Sequence, residues 1–300
     1  MTQGKILLES GTLWTKVKQT TAHALECGAL KSIPTDFEFV EQDRVKFLVR
    51  ILSNLNRKKA AKQKQEQQTA ATGKELNPFL PYEKDLFVAD ISDTHLCILN
   101  KFNVVDYHLL IITRIFEEQE SLLTFEDLAA MWACLTDFDG LVFYNSGKLA
   151  GASQRHKHLQ IVPLSGEYIP ITPLLKAVKF SDSITTIPGL SFLHAFTTFA
   201  PEESAAVTLE KYYALLEAVG IKEVDNHKQS AAYNLLATRE WMLVVPRSHE
   251  EFESISINSL GFAGALLVRN AEQLQLVKNI GPMNILKNVA FPNIKPPTKI

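Results

Sequence analysis

The sequence predicts an α+β fold in which a sheet is flanked by helices and the chain is built as two related halves. Three observations carry this. The middle of the chain strings together short apolar runs of strand length, and the C-terminal part repeats the same order of helix and strands. An internal echo links the two parts. His108-Leu-Leu-Ile-Ile-Thr-Arg114-Ile-Phe-Glu-Glu-Gln-Glu120 aligns without gaps on Trp241-Met-Leu-Val-Val-Pro-Arg247-Ser-His-Glu-Glu-Phe-Glu253. Each copy is an apolar strand, then an arginine, then an acidic loop.

The bulk composition allows a large core. The chain has 300 residues, 46% of them hydrophobic and 21% charged, with a formal net charge of −2. That balance exerts no global pull toward nucleic acid or an acidic membrane surface, so an anionic ligand must be held by local groups. Cys27, Cys97 and Cys134 are odd in number and have no paired spacing. They read as reduced, apolar core residues in a cytoplasmic protein. No basic leader with an apolar run opens the chain, and no apolar stretch approaches the roughly 20 residues of a membrane helix.

In chain order, residues 10–28 read as a helix capped by Ser10, with Leu13, Val17, Ala24 and Cys27 near helical spacing and Gly28 at its end. The runs 37–40 and 45–52 read as a hairpin. Residues 56–75 have almost no apolar bulk; they read as a basic, Gln-rich and mobile loop. Strands are expected at 86–91, 96–101 and 108–114. Thr124 with Glu126 and Asp127 caps a helix running to about Phe138 and stopped by Gly140. Strands follow at 141–145 and 154–162. Pro201 and nearby acidic residues open a helix at 201–219. Strands at 231–237 and 241–245, an apolar run of undecided type at 260–268 and a helix at 271–278 complete the pattern. The division expected from this is 1–55, 56–75, a catalytic half at 76–190 and a second half at 191–300 packed on the first.

The chemistry lies in Gly151-Ala-Ser-Gln-Arg-His156-Lys-His158-Leu-Gln160-Ile-Val-Pro163. On a strand, His156, His158 and Gln160 share one face. Two imidazoles and an amide make a poor inner face unless a polar ligand meets them. A neutral imidazole is a good nucleophile at pH 7 and can attack phosphorus, provided its other nitrogen donates to something fixed, such as a backbone carbonyl. Gly151, Ala152, Ser153 and Gln154 supply small residues and backbone N–H groups that can approach a phosphate. The residues alone leave two other readings open: a His-x-His zinc pair, and two core histidines satisfied by backbone.

Phe143-Tyr-Asn145-Ser-Gly147, followed by Gly151 to Gln154 and His156-x-His158-x-Gln160-x-x-Pro163, resembles the diadenosine tetraphosphate phosphorylases, also called ATP adenylyltransferases. These belong to the histidine-triad superfamily, in the branch with galactose-1-phosphate uridylyltransferase. Leu99-Asn100-Lys101-Phe102, residues 108–114 and Asn258-Ser259-Leu260-Gly261-Phe262-Ala263-Gly264 match the same family, so the resemblance spans about 45 to 285. It implies a histidine-triad-like mixed or antiparallel sheet. It also implies a reaction: diadenosine tetraphosphate and phosphate become ATP and ADP through an adenylyl group on His158. His156 and Gln160 assist, and Gln160 replaces the third histidine of the triad hydrolases. Residues carried over as substrate contacts are Lys58, Asn100, Lys101, Asn145, Gly151, Ala152, Ser153, Gln154, Asn258, Ser259, Leu260 and Arg269. Three positions depart from the family: Arg155 for proline, which is expected to loosen the turn before His156, Ala265 for methionine, and Arg269 for lysine. The expected partners are diadenosine polyphosphates, ATP, ADP and phosphate, with no nucleic acid or membrane, for a monomer or homodimer. No cofactor is called for, and a divalent cation such as Mg stays open. The alternatives are a sugar-1-phosphate nucleotidyltransferase and a catalytically weak dinucleotide-binding protein.

Overall fold

A computed structural model describes residues 4–52, 77–164, 169–178 and 183–293. The stretch 56–75, with Lys58, lies outside the described residues. Helix α1 (Leu13–Glu26) buries Leu13, Val17, Thr21 and Ala24, one residue per turn on one side. Each fully buried Leu or Val contributes roughly 1.5–3 kcal/mol. Its N-cap is Thr12 rather than Ser10, and the chain leaves it through Gly28 at φ +75°. Strands β1 (Thr35–Gln42) and β2 (Val45–Leu52) form a hairpin twice as long on its first arm as the apolar run suggested. Asp43 and Arg44 turn it, both at positive φ.

The main sheet is built from β3 (Phe87–Asp90), β4 (His95–Leu99), β5 (Leu109–Thr113), β6 (Gly140–Asn145), β7 (His158–Pro163), β8 (Ala195–Thr198), β9 and β10 being a separate small pair (Glu223–Val224 and Lys228–Gln229), then β11 (Tyr233–Ala237) and β12 (Trp241–Pro246). Its order is β3-β4-β5-β7-β6-β11-β12-β8. Every neighbouring pair in it is antiparallel. The two copies of the echo become β5 and β12, which are the middle strands of the triplets β4-β5-β7 and β11-β12-β8.

Alternation along the strands sorts the core onto two faces. Tyr144, Leu159 and Ile161 face a cluster shared with α1, α2 (Phe125–Asp137) and α4 (Ala205–Ala218). Leu141, Phe143 and Val162 face a second cluster holding Phe47, Phe262 and Leu286. A smaller cluster of Phe79, Leu96, Ile98, Leu110 and Ile112 covers the β4–β5 end. On the second side lie α3 (Thr172–Leu175), the hairpin β13 (Glu251–Phe252) and β14 (Ile255–Ser256), then α5 (Ser259–Phe262), β15 (Ala265–Val268), α6 (Ala271–Ile280) and α7 (Pro282–Val289). β15 pairs in parallel with β2.

Three further expectations change and one undecided run resolves. The run 260–268 is neither one helix nor one strand; Gly264 at φ +92° separates α5 from β15. Helix α4 starts after Ser204, whose hydroxyl accepts from Val207 N–H at 3.3 Å, not at Pro201. The histidine strand begins at His158; residues 152–157 are extended loop with a single bridge at His156. Cys97 and Cys134 are buried, but Cys27 is exposed, because it falls at the C-cap of α1, beyond the buried stripe.

Candidate active site

His158 and Gln160 lie on the same face of β7 as Val162, opposite Ile112 and Leu110 of β5. That face is the gap between the second core cluster and the smaller one. The His158 Nδ1–H donates to the His156 carbonyl at 2.7 Å. Nδ1 therefore carries the proton, and the lone pair of Nε2 is left without a partner among the described residues. Burial lowers the His158 pKa to about 4, with this hydrogen bond opposing. Phe79 stands edge-on to both rings, 5.2 Å from His158 and 5.6 Å from His156 between centroids. The ring is thus dry, neutral and oriented, the state in which imidazole attacks an electrophile.

His156 is differently used. Its Nε2 donates to the Thr113 carbonyl at 2.9 Å, and its Nδ1 accepts from the Asn77 amide at 2.9 Å. Both nitrogens are committed, so His156 is a brace whose carbonyl holds His158. Burial lowers its pKa as well. The same commitment argues against a zinc pair at these histidines. Among the described residues a grouping able to hold a metal occurs elsewhere, at exposed His23, Cys27 and Asp85.

Gln160 Oε1 accepts from His108 Nε2 at 2.9 Å, and His108 Nδ1 accepts from Asn100 Nδ2 at 3.1 Å. This chain turns the Gln160 NH₂ toward the face it shares with His158. Asn100 enters the site through it rather than alone.

The glycine loop packs directly on the C-terminal segment. Gly151 sits at φ +87°, and a Cβ there would come within 2.9 Å of the Ile257 carbonyl and 3.1 Å of Asn258 Cα. Asn145 Oδ1 accepts from Ser259 N–H at 2.9 Å, Ser259 Oγ at 2.7 Å and Asn234 Nδ2 at 2.9 Å. Those donors fix the amide, so Asn145 Nδ2 is the end that has no partner among the described residues. Asn258 caps α5 by accepting from Leu260 N–H at 3.0 Å. Behind them Arg247, 1% exposed, donates to Asn234 Oδ1 and to the carbonyls of Ile257, His249, Glu250 and Val289. Burial lowers its pKa to about 10, with Glu250 opposing.

Not every expected contact gathers here. Ala152 N–H bonds the Gly147 carbonyl, and Ser153 is exposed beside half-buried Gln154. Lys101 pairs with Glu83. Arg269 is exposed at the end of β15, its N–H bound to Gln273. Arg155 does not loosen the turn: its guanidinium grips Glu118, and its carbonyl accepts from Gln119 N–H at 2.6 Å. Sequence reasoning missed Asn77, His108, Thr113, Gln119, Asn234 and Arg247 as supports of the site. His108, Thr113, Gln119 and Arg247 lie within the echo, which marks a repeat and assigns no role; Asn77 and Asn234 carried no signal.

Under the histidine strand, Lys157 points into the first core cluster and is 1% exposed. Its Nζ donates to Asp127 Oδ2 at 2.6 Å and to the Leu122 carbonyl at 3.0 Å, while His95 meets Asp127 Oδ1 at 3.0 Å. Burial opposes ionisation of Asp127, but the Lys157 charge and the His95 bond outweigh it and hold the carboxyl well below its usual range. Removing one partner of such a pair strands a buried charge, at a cost of about 3–5 kcal/mol. Lys157→Met is therefore expected to lower stability by about that amount, read as a fall in the denaturation midpoint at unchanged slope. A loss under 1 kcal/mol would show that the pair carries little.

Comparison with known proteins agrees with this geometry. The Ap4A phosphorylase N-terminal domain model matches residues 3–177, and the ATP adenylyltransferase C-terminal domain model matches residues 188–292. Diadenosine 5',5'''-P1,P4-tetraphosphate phosphorylase 2 of Saccharomyces cerevisiae is 33% identical over 230 residues, 66% of this chain and 70% of that protein. Protein APA1 of the same yeast is 31% identical over 221 residues, 65% of this chain and 68% of its own. The crystal structure of yeast Ap4A phosphorylase Apa2 in complex with AMP superposes with a TM-score of 0.79 at 25% identity, covering 96% of this chain and 100% of that one. No helix among the described residues is long and apolar enough to cross a membrane. With the first family model covering more than half of the chain, the histidine face included, and the second covering most of the rest, the chain belongs to the Ap4A phosphorylase (ATP adenylyltransferase) family.

Proposed function

We propose that the protein cleaves diadenosine tetraphosphate with inorganic phosphate, giving ATP and ADP, through an adenylyl group carried on His158 Nε2. Family membership supports the overall reaction. The observation that carries the mechanism is the 2.7 Å bond from His158 Nδ1–H to the His156 carbonyl, which leaves the Nε2 lone pair without a partner among the described residues. Nε2 attacks an α-phosphorus, an N–P bond forms, and the P–O bond to the β-phosphate breaks with ATP as leaving group. The ring becomes cationic, and the His156 carbonyl on Nδ1–H stabilises that charge as it develops. Phosphate oxygen then attacks the same phosphorus, the N–P bond breaks, and ADP leaves with the imidazole neutral again. The side-chain NH₂ groups of Asn145 and Gln160 are suited to the phosphoryl oxygens, whereas the Gly151 and Ala152 N–H groups are already spent on the Lys148 and Gly147 carbonyls. The direct test is incubation with diadenosine tetraphosphate with and without phosphate, followed by nucleotide chromatography. ATP and ADP formed only with phosphate support the reading; ATP and AMP formed equally in both arms would overturn it.

Two further outcomes are expected. An amide cannot shuttle a proton, and phosphate needs less base assistance than water does. Gln160→His restores a proton carrier, and His108 stands ready to accept its neighbour's hydrogen bond or donate to it. The variant is expected to raise AMP relative to ADP among the products. An unchanged product ratio in a folded variant would rule this out.

The second concerns pH. The His158 pKa is depressed, so the ring stays neutral well below 6.5, and the nucleophile is lost only as pH falls toward about 4. The internal phosphates of the substrate do not titrate above this range. The single-turnover rate of ATP release is therefore expected to be flat from about pH 8 down to about 5.5, where a histidine of ordinary pKa would already be mostly protonated. A decline centred near 6.5 would show that burial does not govern this ring.

A further inference from the structure

Gln119 is buried in the acidic segment that follows β5. The main chain of this segment runs antiparallel to the histidine strand before β7 begins. Lys157 N–H donates to the Glu117 carbonyl at 2.8 Å, Gln119 N–H donates to the Arg155 carbonyl at 2.6 Å, and Glu118 bridges His156. The next rung would fall at His158, where this ladder stops. From the other direction, the pairing of β6 with β7 ends at Phe143 and Gln160, so β6 does not reach His158 either. The strands are splayed at the nucleophile.

The Gln119 side chain fills the splay. Its Oε1 accepts from His158 N–H at 2.8 Å, and its Nε2 donates to the carbonyls of Asn145 at 2.9 Å and His158 at 3.2 Å. The partners allow one orientation only, because an N–H must meet the oxygen and two carbonyls must meet the nitrogen. Tyr144 hydroxyl donates to the Gln119 carbonyl and holds the residue's own main chain.

We infer that Gln119 is a positioning residue: its amide stands in for a missing rung of the sheet and fixes the main chain of His158 against that of Asn145. This rests on the reading of His158 as the nucleophile. A peptide group could supply the same donor and acceptor, but a third strand cannot enter between β6 and β7. A side-chain amide can, and it leaves the face above open. With the amide gone, His158 N–H and the Asn145 carbonyl lose a buried partner, and the imidazole and Asn145 are free to drift apart. A displacement near 1 Å costs about 10²-fold in rate.

The test compares wild type, Gln119→Leu and Gln119→Glu, with adenine-labelled diadenosine tetraphosphate as probe. Single-turnover protein labelling reports the chemical step, and AMP affinity reports binding. Gln119→Leu is expected to label about 10²-fold more slowly, with AMP affinity changed only a few-fold. Gln119→Glu keeps the shape. Ionised, the introduced carboxylate accepts from His158 N–H but sets charge against two carbonyls; protonated, it regains a donor. Around it lie Glu118 paired to Arg155, Glu117 paired to Lys157, Glu120, the rings of His156 and His158, and the Tyr144 hydroxyl. Burial and the facing carbonyls raise a carboxyl pKa. Gln119→Glu is therefore expected to be slow at pH 8 and to recover toward the wild-type rate at about pH 5.5, where His158 is still neutral. This ratio tests the inference even where the leucine variant fails to fold. Both variants labelling at the wild-type rate, or a Gln119→Glu deficit that is the same at every pH, would overturn it. A wild type that reacts while the variants match it sinks the inference alone. A wild type that takes no label sinks the reading of the reaction and the inference with it.

Discussion

Replacing His158 by alanine is expected to lower turnover of diadenosine tetraphosphate by at least several decades and to abolish adenylyl labelling. In the proposed mechanism the residue supplies the atom to which the adenylyl group is bound, so its loss removes a step rather than weakening one. Loss of a covalent nucleophile costs roughly 10⁶-fold in the best-studied serine protease. Binding of the dinucleotide should survive, because the proposed contacts through Asn145, the glycine loop and Gln160 are untouched. His156→Ala is expected to do less. It keeps the carbonyl that accepts from Nδ1 and removes the bonds to Thr113 and Asn77 that brace the loop. Its effect is a rate loss with labelling retained. Labelling of each variant decides the roles: label on His158→Ala with none on His156→Ala would reverse the assignment.

The second large effect is on stability. Arg247→Met is expected to cost about 3–5 kcal/mol, the range for stranding buried partners of a removed charge. The guanidinium is 1% exposed and holds Asn234 and four carbonyls drawn from three segments. Methionine fills the volume and supplies no donor. Asn234 also donates to Asn145 Oδ1, the Ala150 carbonyl and Ser259 Oγ, so its freedom passes to the glycine loop and the C-terminal segment together. Denaturant unfolding reads the loss, and weakened AMP binding below the transition reads its local share. A midpoint equal to wild type would show that water replaces the guanidinium without cost.

The two sides of the main sheet share a local detail that no strand pattern exposes. His194, just before β8, donates from Nδ1 to the Phe192 carbonyl at 2.8 Å, as His158 does to His156. There the resemblance ends: His194 Nε2 accepts from Ile187 N–H at 2.7 Å. The same local bond leaves Nε2 open among the described residues at His158 and closed at His194. The division at residues near 190 remains a proposal, since one continuous sheet runs through both parts.

Local chemistry was legible in the sequence by itself. Period two placed His156, His158 and Gln160 together, and the hairpin of 37–40 with 45–52 and the capped helix after Thr124 followed from nearest-neighbour rules. These depend on residues within a few positions of one another. What the sequence left undetermined depends on residues far apart. Lys101 reads from the sequence as a substrate contact, and its pairing with Glu83 is set only by the fold. Arg155 reads as a loosened turn until Glu118 meets it. Cys27 reads as core until the helix ends one residue too soon to bury it. Asn77, Gln119 and Asn234 carry no pattern of their own, because a side chain that substitutes for a missing main-chain bond obeys no period. Its place is set by where two strands diverge, and that divergence exists only once the sheet has formed.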